Sequence, residues 1–194
     1  MDLHRETPVG VLYNLRLRWR VLANGPWPGA ALRELSHLYS LYGTYVARQG
    51  DSDSSFTAAS EAFITWPHEA AVINNYALQL QRAGRHEEAL FRFKKVIEVR
   101  PGYALGWFNL GTAWVNMGNL TEAAYAFGRA QELFTEPTDR TARMAFYMAT
   151  LHAQNGEYVL AYTLLKAAVP QLPRAMSKKA AQMMLDLDEA MVPR

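Results

Sequence analysis

The chain of 194 residues contains no cysteine, and that absence closes off several chemistries at once. Disulfides, cysteine-ligated zinc and a cysteine nucleophile are all excluded. Long apolar runs are missing as well: no stretch approaches the roughly 18 residues that cross a bilayer. The opening stretch MDLHRETPVGVLYNLRLRWR lacks the central apolar block of a secretory signal. A full-length chain of this kind is expected in the cytoplasm, and one trimmed of a leader in the periplasm. Charge of one sign is scarce: 20 Lys+Arg against 18 Asp+Glu leave a net charge of +2. Whole-chain charge therefore gives no reason to expect a nucleic-acid partner. The five histidines form no H-E-x-x-H pair, so no metal site is expected. P-loop, G-x-G-x-x-G and G-x-S-x-G motifs are also lacking, and no cofactor and no enzymatic activity are expected.

What is present is a globular composition, 50% hydrophobic and 12% aromatic, with a period. In GWFNLGTAWVNMGNLTEAAYAFGRA (106–130), take Ala104 as position one of a 34-residue unit. Trp107, Leu110, Gly111 and Trp114 fall at positions 4, 7, 8 and 11, Gly118 at 15, and Ala123, Phe127 and Ala130 at 20, 24 and 27. One period earlier the slots hold Ile73, Tyr76, Ala77, Leu80, Gly84, Ala89, Phe93 and Val96. Another period back they hold Tyr39, Tyr42, Gly43, Val46, Gly50, Ser55, Ala59 and Ala62. After a four-residue slip through TEPTDR the register resumes at Ala142, with Ala145, Met148, Ala149, His152, Gly156, Ala161, Leu165 and Ala168.

Helix geometry explains each slot. Positions 4, 7, 8 and 11 share one face of a first helix, and 20, 24 and 27 share the facing stripe of a second. Small residues at 8 and 20 let the two backbones approach closely, and glycine at 15 closes the first helix in a left-handed turn. Asn119 is placed to cap the second helix of its copy, with Glu122 completing a capping box. Proline follows the second helix at Pro67, Pro101 and Pro173, where it cannot continue a helix.

The pattern resembles the tetratricopeptide repeat family over residues 36–175. The resemblance implies an all-α, right-handed solenoid of four helix pairs, about 36–69, 70–103, 104–137 and 142–175. The expected division of the chain is an N-terminal extension at 1–27, a solenoid over 28–175 and a capping helix over 176–194. In that family positions 2, 5, 6, 9, 12 and 13 of the first helices line a concave groove for an extended peptide or a partner helix. Carried over, the candidate lining is His37, Ser40, Leu41, Thr44 and Arg48, then Asn74, Asn75, Gln81 and Arg82. Leu105, Phe108, Asn109, Thr112 and Asn116 follow, then Arg143, Phe146, Tyr147, Thr150 and Gln154. The set is rich in amides, holds three aromatics as apolar anchors and three arginines suited to carboxylates, and contains no acid.

Chaperone-tail-binding members of the family hold a terminal carboxylate with Lys at 5 and Asn at 9, Asn at 6 of the next unit, then Lys and Arg at 2 and 6 of the third. Starting from the first copy, this chain offers Ser40, Thr44, Asn75, Leu105 and Asn109, so that clamp is not expected. The resemblance implies a non-enzymatic adaptor or chaperone-like module with a protein or peptide ligand. A self-associating scaffold, or an accessory module of a membrane-associated secretion or biogenesis complex, are the alternatives.

The ends carry weaker signals. LRLRWRV (15–21) alternates like a strand, while Leu12, Leu15, Trp19 and Leu22 also form a helix stripe that an all-helical setting favours. Membrane contact is expected only if residues 11–22 make it. RQGDSDSSF reads as a polar, mobile loop, and Asp51 and Asp53 lack the ligand count of a calcium site. At the far end, Ala175, Met176, Ala180, Met183, Met184 and Leu187 fall at helical spacing and read as a capping helix, with an adaptable partner surface as the alternative.

Overall fold

The computed structural model describes residues 29–136 and 138–191, so the expectations for residues 1–27 lie outside the described residues. Among the described residues there are nine α-helices and no strand. They are α1 (Gly29–Arg48), α2 (Ser52–Thr65), α3 (Ala70–Arg82), α4 (His86–Val99) and α5 (Ala104–Asn116), then α6 (Leu120–Leu133), α7 (Asp139–Gln154), α8 (Tyr158–Ala168) and α9 (Arg174–Met191). A short 3-10 turn, Val169–Gln171, separates α8 from α9. The chain forms two compact units that divide between Val99 and Arg100, with α1–α4 in the first and α5–α9 in the second.

Within each unit the helices pair α1 with α2, α3 with α4, α5 with α6 and α7 with α8. Every pair turns the same way. Gly50, Gly84, Gly118 and Gly156 have φ of 84°, 77°, 76° and 80°, the left-handed region that glycine enters without a Cβ clash. Around Gly84 the amide of Arg85 reaches Leu80 O at 2.9 Å and that of Gly84 reaches Gln81 O at 3.1 Å. The same two bonds recur at Gly50, Gly118 and Gly156, so all four first helices end in a Schellman motif.

The small-residue slots are the points of closest approach. Ala77, Ala149, Ser55, Ala89, Ala123 and Ala161 are all fully buried, and Gly43 and Gly111 are buried with them. Large residues fill the space on either side: Tyr39 and Ile73 at position 4, Phe93, Phe127 and Leu165 at position 24. Each such side chain contributes about 1.5–3 kcal/mol through burial. The four pairs differ at position 24. In the first pair Ala59 stands where the others carry Phe93, Phe127 or Leu165, so Gly43, Ser55 and Ala59 are all small together.

The second-helix starts differ from expectation in two places. Asn119 caps α6 by accepting from the Glu122 amide at 3.2 Å, without the reciprocal bond of a capping box. The reciprocal box occurs instead at α7, between Thr138 and Thr141. RQGDSDSSF is not a loop: after the Gly50 turn, Asp51 accepts from the Ser54 amide at 2.9 Å and α2 begins at Ser52. The last helix, α9, packs Ala180 and Leu187 against Ala161, Leu165 and Ala168, with Met176, Met183 and Met184 half-buried beside them. Ala175 is exposed, because it lies off that stripe.

A Cβ at Gly111 would overlap ring carbons of Phe127, which is itself fully buried and stacked on Tyr147 at 5.6 Å. At Gly43 the same Cβ would meet Ala58 Cβ at 3.2 Å, Ser55 O at 3.4 Å and Ala59 N at 3.7 Å, a tight contact without overlap, and at Gly128 it would meet nothing. In denaturant melts Gly111→Ala is expected to cost about 1–3 kcal/mol. Gly43→Ala should cost clearly less, and Gly128→Ala, mid-helix in open space, should gain about 0.5–1 kcal/mol.

Candidate functional site

In the first unit the small residues of the first pair leave a cleft of about 300 Å³ between the first helices. One wall is α1, with Ser40, Gly43, Thr44, Ala47 and Arg48; the other is α3, with Asn75, Leu78, Gln79 and Arg82; Ser55 and Ala59 of α2 close it from behind. Ser40, Thr44 and Arg48 recur every four residues and Asn75, Gln79 and Arg82 at i, i+4 and i+7, so each wall is one helix stripe that ends on an arginine.

Of the expected lining, the cleft gathers Ser40, Thr44, Arg48, Asn75 and Arg82. It does not gather His37 or Asn74. His37 Nε2 lies 3.0 Å from Glu69 Oε1, whose other oxygen accepts from Arg33 Nε at 3.1 Å, and this bond holds the imidazole on the carboxylate. Asn74 is buried with interactions of its own. Leu41 and Gln81 also fall outside the cleft. Sequence reasoning missed Gln79, Leu78 and Ala47, and above all Gly43, Ser55 and Ala59. The available signal was the run of three small residues at slots 8, 20 and 24.

The hydroxyls are not equivalent. Thr44 donates to Ser40 O at 2.9 Å, and Thr112 and Thr150 repeat this to Phe108 O and Phe146 O at 3.0 Å. Their protons are spent on their own helices and only lone pairs face outward. On α2, Thr57, Ser60 and Thr65 make the same i−4 bond. Ser55, fully buried, makes none: its Oγ and the buried Oγ of Ser40 have no hydrogen-bond partner among the described residues.

In the second unit Phe108 and Asn109 are buried, so neither stands open as expected of a groove anchor and a groove amide. Phe108 lies against Phe127, with centroids 6.0 Å apart, and the Arg143 guanidinium covers its ring at 5.4 Å. Asn109 likewise has interactions of its own. Phe146 and Tyr147 meet edge to face at 5.6 Å and stay half-buried, as do Arg143, Thr112 and Thr150; Asn116 and Gln154 are exposed. His152, at a packing slot, is half-buried and bonded through Nδ1 to Glu157. No described helix is long and apolar enough to cross a membrane.

No protein-family model matches the sequence. Several solved structures resemble the fold. A tetratricopeptide repeat protein from Parabacteroides merdae ATCC 43184 aligns with a TM-score of 0.64 at 19% identity, over 95% of this chain and 67% of that one. The MamA protein aligns at 0.58 and 18% identity, over 81% and 98%. The first tetratricopeptide-repeat domain of Spaghetti (RPAP3), bound to the HSP90 peptide SRMEEVD, aligns at 0.55 and 17% identity, over 60% and 94%. These likenesses establish the all-α tetratricopeptide-repeat fold.

Burial disfavours ionisation of Glu69, but the bonds from Arg33 and His37 outweigh it and hold its carboxyl below the usual range. The stability that Glu69 contributes is therefore complete above the ordinary carboxylate range and lost as pH falls through the depressed value. Denaturant midpoints of wild type and Glu69→Gln should differ at about pH 7 and draw together as pH falls through the depressed value.

Proposed function

We propose that this chain, built on the tetratricopeptide-repeat fold, is a non-enzymatic interaction module that holds an extended peptide segment in the cleft of its first unit. The observation that carries this reading is the cleft itself: a concave, acid-free wall of Ser40, Thr44, Arg48, Asn75, Gln79 and Arg82 around a small apolar floor. Amides and hydroxyls on two parallel stripes match the alternating donors and acceptors of a peptide backbone whatever its sequence. A neighbour of the same fold carries a peptide, which supports the ligand class by analogy of fold. That neighbour's HSP90 ligand is not carried over, because Ser40 and Thr44 stand where a carboxylate clamp has lysine and asparagine. An adaptor or chaperone-like role follows from holding one segment of a larger partner. Phe146, Tyr147, Thr150 and Gln154 on α7 offer a second, separate contact surface.

The test is selection from a library of random dodecapeptides by the full chain, with binding of the recovered peptides mapped by amide chemical shifts. Shifts confined to residues around Ser40, Thr44 and Asn75 are the expected outcome, and recovery of no peptide overturns the reading. Ala59→Phe copies the Gly111–Phe127 pairing into the first pair. It should fill the cleft and abolish binding, with the helical circular-dichroism signal and melting temperature retained.

A second reading, self-association, is favoured by one specific feature. Leu38, Leu41 and Tyr45 form an i, i+3, i+7 stripe on α1 and are 52%, 68% and 60% exposed. If that stripe joins two copies, light scattering should give a dimer mass that falls to the monomer in Leu41→Glu. A monomer mass for wild type across the concentration series removes this reading.

A further inference from the structure

We propose that the cleft of the first unit is a carboxylate site, in which Arg48 and Arg82 clasp an acidic group of the bound peptide. This deepens the peptide-binding function above and depends on it. The described part of the first unit has five arginines. Three are committed: Arg33 to Glu69, Arg85 to both oxygens of Glu88 at 2.6 and 2.7 Å, and Arg92 over the Phe63 ring at 4.7 Å. Arg48 and Arg82 have no hydrogen bond or ion pair among the described residues, and both line the cleft.

No lining residue is acidic. The acid nearest in sequence to Arg48 is Asp51, and it is spoken for: hydrogen bonds from Ser54 hold its carboxyl below the usual range while it caps α2. A helix C-terminus attracts cations by itself, and both arginines end their helices. That attraction does not account for what lies beneath them. Ser55 Oγ is fully buried at the back of the same cleft with no partner among the described residues, and Ser40 Oγ is buried on its wall in the same state. Thr57, Ser60 and Thr65 on α2 quench themselves on the i−4 carbonyl, whereas Ser55 does not, so its free proton is a donor held in reserve. Two guanidinium forks at the rim and two hydroxyl donors below suit a group that accepts only. A carboxylate has that character, and its two oxygens match the guanidinium fork. A neutral side chain would leave both arginines without a counter-charge. The positions also differ from the family's chaperone-tail clamp, since position 13 takes no part in it.

The dodecapeptide library is displayed in two formats, one tethered through its C-terminus and one ending in a free carboxylate. Wild-type protein is expected to recover peptides enriched in Asp or Glu in both formats. Enrichment in the free-carboxylate format alone also supports the site and identifies the chain terminus as the source. For a recovered acidic peptide, fluorescence polarisation should show about tenfold weaker binding to Arg48→Gln and to Arg82→Gln. Its Asn/Gln analogue should bind wild type and both variants alike. Both arginines are exposed, so the variants should fold, which circular dichroism checks. Recovery of acid-free peptides that bind the cleft overturns the carboxylate site and leaves the peptide reading standing. An acid preference that persists in the double variant does the same. Recovery of no peptide in either format overturns both.

Discussion

The close approach of the two helices within each pair is the constraint from which the rest of the structure follows. Two α-helices can come near contact only where neither presents a bulky side chain, and slots 8 and 20 supply that in every pair: Gly43 with Ser55, Ala77 with Ala89, Gly111 with Ala123, Ala149 with Ala161. Once the backbones are close, the chain must reverse direction in very few residues. The left-handed glycines at 50, 84, 118 and 156 do so while satisfying two carbonyls each. The large residues at positions 4 and 24 then have a fixed volume to fill, and their burial adds to the stability of each pair.

The same constraint produces the cleft. Where slot 24 is Phe127, the ring fits against the bare Cα of Gly111 so tightly that no Cβ can be added. Where slot 24 is Ala59, no ring covers Gly43, and a cleft remains beside it, lined by the outer stripes of α1 and α3. Packing deficiency at one point of a regular repeat is thus the physical origin of the cleft. A hydroxyl such as Ser55 can remain unpartnered there only because the fold stabilises the pair elsewhere.

The periodic part of the molecule was legible in the residues. Gly118, Asn119 and the Trp107–Trp114 stripe state their roles through spacing alone, because helix geometry repeats every few residues and leaves a local trace. Charge partners were not legible. His37 belongs to Glu69, 32 residues away, and nothing local to either residue signals it. RQGDSDSSF looks mobile by composition, yet its Asp51 is a helix cap; one side-chain bond overrides a polar stretch.

An all-α fold, four helix pairs, their turns and a last amphipathic helix are all written in short-range periodicity and in residues with special backbone needs. Which polar groups are spent and which are free is set by packing in three dimensions. Asn109 and Phe108 occupy groove positions by count but are buried, Phe108 beneath Arg143 and against Phe127, whereas Arg48 and Arg82 have no hydrogen bond or ion pair among the described residues and line a cleft beside Gly43 and Ala59. Burial and pairing depend on distances between residues far apart in the chain, and a linear period carries no record of those distances.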